Sequence, residues 1–472
     1  MNNLKNWLRP LILGDSMKVC PISWEKLDAW NLQHGQWSHQ TGGFFSLIGL
    51  QFFSQTGRQV VEPFIHQPEV GILGCLVFHK GDEYHWLIQA KSEPGSIPFA
   101  QAAPTVQATE SNYKRKHGGK ATRHLEHFLT PNKNGGHPIW HSCAENSEQG
   151  SKFLQKFNRN VVIELAPEVA ESLAMTTLEK WHSGSALKVG LGESNLINTD
   201  LRSVVVTSCW QLLLHDGEKP FSSPLTSCSD AWADWRAACA FSYAEGIVRP
   251  ISELQNALCA RSTDHAFDVQ RIPIHTCNPN STQPPLPGWR YTAEGEMIED
   301  ATVPSRFHDV VCLETKSDHR EVARWSQPLL RGRQMIHSSL LFRLNPERTQ
   351  ELQCFLRRSM EPGLRQPEWG PSLQSDNELM SKEEQAWLER IQSGKGVMSQ
   401  IEQTDEGGRF YQSRAIYSLV ALQPQDALLV ESLKENVSGI WVNIRELERI
   451  VQTPGMSTNE LRTTVSLLLS WI

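Results

Sequence analysis

The sequence predicts an α+β protein built from two homologous halves. Short strings of residues recur in the same order in both parts of the 472-residue chain. Each part contains paired apolar runs separated by turn residues, which is typical of β-hairpins, and ends in a segment with helix-capping signals. Strands first and a helix last in each half predict the α+β class.

Four strings carry the repeat, at separations of 268 (361 − 93), 267 (371 − 104), 258 (406 − 148) and 260 residues (460 − 200). The pairs are Glu93–Gly95 with Glu361–Gly363, Pro104–Gln107 with Pro371–Gln374, Glu148–Phe153 with Glu406–Phe410, and Asp200–Val204 with Glu460–Thr464. Matches that keep both order and chemistry indicate an internal repeat. We therefore predict a first unit at residues 1–215, a partly irregular connecting segment at 216–299 and a second unit at 300–472.

Strand signals come first in each half. In the first half, apolar runs at 71–78 and 84–90 flank the turn residues His79-Lys80-Gly81-Asp82, which predicts a hairpin. The second half repeats this with runs at 338–344 and 349–356. Further strands are predicted at 160–165 and 413–422.

Helix signals follow the strands. Ser457 and Glu460 have the spacing of a capping box and predict a terminal helix at 461–472. Asn198 or Thr199 can cap a counterpart at 200–214. In the connecting segment, the Trp/Ala-rich stretch 231–240 is compatible with a helix, and the run 278–287 is predicted to be irregular.

Composition and charge narrow the class of protein. A mean hydropathy of -0.40, with no stretch near 18 uninterrupted apolar residues, argues against a membrane protein. The net charge of -7 argues against broad binding of nucleic acid or anionic membranes. Ten cysteines without one CxxC predict no structural metal site. We expect a cytoplasmic protein with reduced thiols.

Catalytic signatures of common enzyme classes are incomplete in this chain. The glycine-rich strings lack the spacing of phosphate or dinucleotide loops, and no GxSxG, HExxH or paired His/Cys ligand set is present. Candidate functional residues are therefore sought in the polar segments that occur in both halves of the chain.

The polar segments supply donors, acceptors and charges. Lys91 follows a predicted strand; the plain alternative is a solvated strand end. Gln107, Asn112 and Tyr113 offer amide and phenol groups that suit sugar hydroxyls, although such clusters also form simple turns. The segments that most favour a functional role are 147–150 and 404–409. Their candidate residues are Ser147, Glu148, Gln149 and Gly150, with Ser151 directly after them, in the first, and Glu406, Gly407, Gly408 and Arg409 in the second.

A glutamate that recurs in both of these segments favours function over a plain β-turn. Glycine lets a ligand approach the backbone closely, arginine pairs with phosphate, and glutamate can act as a base. Trp289, Trp325 and Trp369 lie near Pro/Gly turns and are predicted to be exposed for stacking, against the alternative that they fill the core. Glu368, Gly370 and Gln374 surround Trp369 and complete the candidate binding set.

Eight ordered strings resemble the NDP-hexose 2,3-dehydratases of deoxysugar biosynthesis. They are GGFFSLIGLQ (42–51), QPEVGILG (67–74), QAKSEPG (89–95), PTVQATESNY (104–113), SEQGSKF (147–153), NTDLRSVV (198–205), REVARWSQPLL (320–330) and DEGGRFY (405–411). The resemblance implies two tandem Nudix-like α/β repeats packed as a pseudo-dimer, a homodimer, and dTDP-4-keto-6-deoxyglucose as substrate. It implies no cofactor, no metal, and a downstream 3-ketoreductase that receives the product.

One string departs from the family pattern. The family's first repeat carries W-x-Q-P, as in Trp325-Ser326-Gln327-Pro328, whereas this chain has Val60-Val61-Glu62-Pro63 at the equivalent place. If the tryptophan stacks on the nucleotide, the site that it serves is altered in this protein.

The chemistry that the resemblance implies is elimination of water across carbons 2 and 3 of a 4-keto sugar. The ketone acidifies the hydrogen on carbon 3, so a base can remove it while fixed donors hold the enolate oxygen. We expect Glu406 or Glu148 as base or hydroxyl ligand, and Tyr113 as proton donor or relay. Lys91 and Arg409 are expected to stabilise the charge of the enolate or of the pyrophosphate. Two rival functions remain open: a Nudix-type pyrophosphohydrolase, which would need Mg²⁺, and a non-catalytic sugar-nucleotide-binding partner of a glycosyltransferase.

Overall fold

The computed structural model describes most of the chain. The described residues are 4–14, 16–53, 59–116, 119–129, 137–222, 232–259, 268–275, 283–299, 308–320, 322–375, 382–423, 426, 430 and 438–472. Of the run predicted to be irregular, 278–287, residues 278–282 lie outside these ranges.

Strands and helices alternate irregularly along the chain. The strands are β1 (Lys18–Ile22), β2 (Trp30–Gln33), β3 (Gln36–His39), β4 (Ser46–Phe53), β5 (Gln59–His66), β6 (Gly71–Lys80), β7 (Glu83–Ser92), β8 (Ala100–Ala103), β9 (Val106–Ala108), β10 (Ile139–Ser147), β11 (Phe157–Glu164), β12 (Glu179–Ser183), β13 (Gln270–Ile272), β14 (Trp289–Tyr291), β15 (Met297–Glu299), β16 (His308–Lys316), β17 (Arg324–Gly332), β18 (Ile336–Leu344), β19 (Leu352–Ser359), β20 (Glu368–Gly370), β21 (Leu373–Gln374), β22 (Val397–Thr404), β23 (Phe410–Tyr411), β24 (Arg414–Ala421) and β25 (Gly439–Asn443). The helices are α1 (Leu4–Leu13), α2 (Glu110–Tyr113), α3 (Pro167–Ser172), α4 (Gly184–Leu191), α5 (Thr199–Val206), α6 (Ala233–Glu245), α7 (Ile251–Cys259), α8 (Lys382–Gln392), α9 (Ile444–Gln452) and α10 (Asn459–Leu469). The mixture of sheets and helices is α+β, as predicted.

Two seven-stranded sheets share one pairing order. The first runs β10-β11-β6-β7-β12, with β8 on β7 and β9 on β6. The second has β22-β24-β18-β19, with β20 and β25 on β19 and β21 on β18. Both predicted hairpins, β6–β7 and β18–β19, are confirmed, and β11 and β24 correspond to the further predicted strands. In each sheet a strand runs parallel to the first hairpin strand, with Asn158 opposite Gly71 and Ala415 opposite Ile336.

Two smaller sheets lie beside the large ones and join distant parts of the chain. One contains β13-β4-β3-β2, with β5 on β4, and the other β14-β15-β16-β17-β23, with β1 on β16. The N-terminal strand β1 therefore pairs with a strand of the second half, with Ile22 opposite Cys312.

Helices α5 and α10 lie at the centre of the molecule and bind each other's half. Arg202 of α5 donates from Nη1 to Ser466 Oγ at 3.0 Å, and Arg462 of α10 donates from Nε to Ser203 Oγ at 2.8 Å. The main apolar core contains residues of both halves, including Leu201. The two halves consequently share one core. No helix in the described part of the chain is long and apolar enough to cross a bilayer.

The ends of these two helices differ from the prediction. The predicted capping box at Ser457 is wrong by one residue: Thr458 is the N-cap, and its Oγ1 accepts from Leu461 N at 3.2 Å. Helix α5 is capped by Asn198 as expected, but it ends at Val206 rather than 214. The amide and the hydroxyl of Thr207 both donate to Ser203 O, at 3.1 and 2.8 Å, which satisfies the helix end without a further turn.

Candidate active site

Each half contributes a turn that packs against a loop of the other half. The amide of Gly95 donates to Gly407 O at 2.8 Å, and the amide of Gly363 donates to Gly150 O at 2.7 Å. We call the contact of turn 93–96 with loop 405–410 the first junction, and the contact of turn 361–364 with loop 148–153 the second junction. Neither junction is complete without residues from both halves.

Strand register corrects the sequence comparison of the two loops. Ser147 lies opposite Phe157, and Thr404 lies opposite Arg414, at equivalent places in the two sheets. Glu148 N then donates to Lys156 O, as Asp405 N donates to Ser413 O. The prediction that one glutamate recurs at the same place is therefore wrong by one residue, because identical letters were matched instead of hydrogen-bonded positions. Glu148 corresponds to Asp405, and Gln149 corresponds to Glu406.

A buried ion pair joins Lys152 in the loop of the second junction to Asp405 in the loop of the first. Lys152 Nζ lies 2.5 Å from Asp405 Oδ2, and both side chains are at most 3% exposed. Gln149 Nε2 donates to Asp405 Oδ1 at 3.2 Å, and Ser413 Oγ donates to Asp405 Oδ2 at 2.6 Å. With its charge paired and both oxygens bonded, Asp405 is suited to a structural role.

We expect Lys152→Met to destabilise the protein by about 3–5 kcal/mol, because it leaves the Asp405 carboxylate buried without its counter-charge. Urea unfolding followed by tryptophan fluorescence measures this. The double variant Lys152→Met/Asp405→Asn removes both charges and should recover part of the loss. Equal stability of Lys152→Met and the wild-type protein would contradict the importance of the pair.

Glu406 at the first junction is the counterpart of Gln149 at the second, so a carboxyl stands where the second junction has an amide. Glu406 is half-buried, and its carboxyl makes no hydrogen bond to any residue that the structure describes. An added Cβ at Gly408 would lie 3.4 Å from Glu406 Oε1 and 3.6 Å from Glu93 Oε1, so both carboxyls flank this glycine. Burial and the nearby Glu93 charge raise the pKa of Glu406, while Arg409 opposes this shift. A carboxylate with a raised pKa and free oxygens is suited to act as a base.

Glu148 faces the first junction and is held by two amides. Asn158 Nδ2 donates to Glu148 Oε1 at 2.7 Å, and Asn459 Nδ2 donates to Glu148 Oε2 at 2.9 Å. Burial, reinforced by the charge of Glu406, raises the pKa of Glu148 to about 7. Because both oxygens are already bonded, Glu148 is less free than Glu406 to contact a substrate.

The expected strand-end residues meet at the first junction. Gln107 Nε2 donates to Glu93 Oε1 at 3.2 Å, and Lys91 Nζ donates to Gln107 O at 2.7 Å. In the second half, Gln374 Nε2 donates to Glu361 Oε1 at 3.0 Å in the same way. The position of Lys91 is occupied by Ser359 in the second half, so at this position the first junction has a cation and the second has a hydroxyl.

Arg409 lies beside Glu406 in the same turn. Its guanidinium packs 4.7 Å from the centroid of the Phe45 ring and donates from Nε to Gln67 Oε1 at 3.2 Å. At 6% exposure it is buried, so its charge acts on the carboxyls around it with little screening. Lys156 is a second buried cation there, and burial lowers its pKa to about 8.

Strand β17 borders the first junction, and β5 borders the second. Leu330 pairs with Phe410 as Ile65 pairs with Phe153, and Gln327 Nε2 donates to Gly408 O at 3.0 Å. The string 60–63, which differs from the family's W-x-Q-P pattern, therefore lies beside the second junction. The string 325–328, which keeps that pattern, lies beside the first.

Tyr113 is not brought to either junction, and Asn112 precedes it in the same short helix, α2. Tyr113 packs beside Leu125 and Trp140, in an apolar cluster that also contains Val106 and Ala108. Because side chains alternate along a strand, Gln107 points to the opposite face of the sheet. Tyr113 is thus separated by the sheet from the carboxyls that it was expected to serve.

The tryptophans divide into two groups. The expectation of exposure is wrong for Trp289 and Trp369, which are 3% and 1% exposed, and Trp289 Nε1 donates to Val61 O in the core. Trp325 is half-buried, with the Arg320 guanidinium 6.0 Å from its ring centroid, and remains available for stacking.

The other predicted binding residues lie at or near the second junction. Ser147 Oγ donates to Glu368 Oε2 at 2.6 Å, and burial raises the pKa of Glu368 to about 8. An added Cβ at Gly150 would lie 2.6 Å from Leu364 Cγ, and one at Gly370 2.1 Å from Ser359 Oγ, so these glycines permit close packing. Ser151 is buried in the same loop.

Sequence reasoning missed several residues of the first junction. Asp200, Lys156, Asn158, Asn459 and Gln67 are each 7% exposed or less. Asp200 could have been found, because it lies in one of the four repeated strings. The other four residues lie outside these strings, so the repeat did not point to them. Among the described residues, no group of three or more His, Cys, Asp or Glu side chains is arranged to hold a metal ion.

Comparison with known proteins matches the chain to one family. The model of the family described as NDP-hexose 2,3-dehydratase matches residues 1–208 and 251–468. The chain belongs to the NDP-hexose 2,3-dehydratase family. It is accordingly a dehydratase, a carbon–oxygen lyase, and the expectation drawn from the eight strings is confirmed.

Three relatives carry the name dTDP-4-dehydro-6-deoxy-alpha-D-glucopyranose 2,3-dehydratase. The protein of Streptomyces violaceoruber is 29% identical over 440 residues, covering 92% of this chain and 88% of its own. That of Saccharopolyspora spinosa is 27% identical over 490 residues, covering 98% and 90%. That of Amycolatopsis orientalis is 29% identical over 343 residues, covering 70% and 61%.

Proposed function

We propose that this dehydratase acts on dTDP-4-keto-6-deoxyglucose and releases a 3,4-diketo-2,6-dideoxy sugar nucleotide. The names of three relatives support this substrate. The substrate's own ketone acidifies the hydrogen on carbon 3, so the proposed step requires no cofactor.

We further propose that the reaction takes place at the first junction. The observation that supports this is a difference at one equivalent position: by strand register, the second junction has Gln149 where the first has Glu406. Gln149 and Lys152 hold Asp405 in a closed network, whereas Glu406 keeps its carboxyl free. An amide cannot remove a proton, so only the first junction has a base at this position.

The proposed mechanism begins with proton removal. Glu406 takes the hydrogen from carbon 3, and the electron pair moves toward the oxygen on carbon 4. Lys91 and Arg409 stabilise the enolate charge, which a buried cation does more effectively than one in water. Collapse of the enolate breaks the bond from carbon 2 to its hydroxyl, and the enol product tautomerises to the diketone.

We make further inferences about the domains, the oligomeric state and the partner enzyme. We infer that the halves at 1–215 and 300–472 are Nudix-like repeats joined by 216–299, for which the shared pairing order of the two large sheets is the support. We also infer a homodimer, and a separate 3-ketoreductase that captures the unstable product. Trp325, on strand β17 that borders the first junction, is the candidate for stacking on the nucleotide base.

The test is to incubate EDTA-treated protein with dTDP-4-keto-6-deoxyglucose, a 3-ketoreductase and NADPH, and to follow the product by mass spectrometry. We expect a product that has lost one water and gained two hydrogens. Unchanged substrate that binds by calorimetry would favour a non-catalytic binding partner. Release of dTMP only after Mg²⁺ is restored would favour a pyrophosphohydrolase.

A further inference from the structure

Elimination of water needs an acid as well as a base. Hydroxide is a poor leaving group, so the oxygen on carbon 2 has to be protonated as its bond breaks. Tyr113, the expected donor, lies on the opposite face of the sheet from Gln107. The acid must therefore come from another group at the first junction.

Asp200 is held at this junction by the first turn of α5. Its helix is capped by Asn198, whose Oδ1 accepts from Leu201 N at 2.9 Å. The same Asn198 donates from Nδ2 to Gln107 Oε1 at 3.0 Å, and Gln107 in turn donates to Glu93. This chain of amides fixes the start of α5 against the turn that carries Glu93.

The carboxyl of Asp200 is buried but free. Asp200 is 3% exposed, and its side chain makes no hydrogen bond to any described residue. A buried carboxyl that lacks a partner carries a cost unless it is protonated or contacts a ligand. Most other carboxyls around it are engaged: Glu93 by Gln107, and Glu148 by Asn158 and Asn459.

We propose that Asp200 is the general acid that protonates the departing hydroxyl on carbon 2. This inference rests on the proposed function. In the balanced step, Glu406 accepts the proton of carbon 3, the carbon–oxygen bond at carbon 2 breaks, and Asp200 gives its proton to that oxygen, so that water leaves. Glu406 is then protonated and Asp200 ionised, and one proton passed between them, directly or through the released water, restores both.

The surroundings keep Asp200 protonated. Burial raises its pKa well above the ordinary value, and the charges of Glu406, Glu148 and Glu93 raise it further, while Lys91 opposes them. Arg462 of α10 also faces this group. An acid works only while protonated, so elimination should fall as pH rises through the pKa of Asp200, and Asp200→Asn should lack this alkaline limb.

The decisive test compares leaving groups in Asp200→Asn. Asparagine has nearly the same shape but has no proton to give. With the natural hydroxyl substrate we expect a loss of about 10²-fold or more. With the 2-deoxy-2-fluoro analogue, fluoride leaves without an acid, so its release, measured with a fluoride electrode, should stay within about threefold of wild type. In D₂O, recovered hydroxyl substrate should still gain deuterium at carbon 3, because Glu406 is intact.

Glu460→Gln is the matched control, because Glu460 occupies the equivalent position in α10. We expect it to retain elimination of water. If Asp200→Asn keeps full activity on the hydroxyl substrate, or loses water and fluoride elimination equally, the acid role is overturned. If wild-type protein releases neither water nor fluoride, the proposed reaction fails together with this role, and the two failures are thereby distinguished.

Discussion

Glu406→Gln is expected to lower the rate of water elimination by about 10³-fold, the effect of removing a general base. The substitution gives the first junction the amide that the second junction already has at Gln149. Shape and packing are kept, so binding of dTDP, measured by calorimetry, should change little. The rate is measured with the reductase-coupled assay, and deuterium exchange at carbon 3 should be lost together with elimination.

The control for this variant is Glu402→Gln. Glu402 lies four residues earlier, on β22, in a solvent-exposed ion pair with Arg414 at 3.3 Å. Such pairs contribute about 0–1 kcal/mol, so we expect wild-type rates and stability. Wild-type elimination by Glu406→Gln would remove Glu406 from the mechanism and return attention to Glu148, the other base that the sequence suggested.

Gly95→Ala is expected to destabilise the protein by about 3 kcal/mol and to abolish elimination. A Cβ at this position would lie 1.7 Å from Phe410 O and 2.9 Å from Gly407 O, both backbone atoms that cannot rotate away. The turn would have to separate from the loop that carries Glu406. Urea unfolding and the coupled assay measure the two effects.

Gly363→Ala provides the matched comparison, because its Cβ would lie 1.7 Å from Phe153 O at the second junction. We expect a similar loss of stability with a smaller loss of activity. Gly192→Ala is the benign control: Gly192 has helical backbone angles, and the nearest atom to its Cβ would be Ser470 Cβ at 3.3 Å. If Gly95→Ala is as stable as Gly192→Ala, the junction is not a rigid contact.

Much of the fold could be predicted because its signals are local. The hairpins β6–β7 and β18–β19 follow from apolar runs around turn residues, and Asn198 caps α5 as expected. The ends of helices were less predictable. Thr458 rather than Ser457 caps α10 since Ser457 is already paired with Trp369 in a bridge, a tertiary contact that no local pattern reveals.

The candidate site was only partly predictable, for a related reason. Glu406, Lys91, Gln107 and Arg409 were identified from residue type and recurrence, and the structure brings them to one junction. Tyr113 had the right chemistry, but from helix α2 it packs on the face of the sheet opposite to Gln107. Trp289 and Trp369 stand near turns in sequence yet fill the core, because burial depends on what packs over a turn.

The sequence by itself determined the α+β class, the repeated strings and the family, since these depend on residue order and local periodicity. Only the tertiary structure decided that each junction is shared between the halves, with the amide of Gly95 bonded to Gly407 in the loop of Glu406. It also decided that Glu406 is equivalent to Gln149 and not to Glu148. The physical reason is that hydrogen-bonded register and long-range burial set which carboxyls meet, and contacts between residues some 300 positions apart leave no local trace in the sequence.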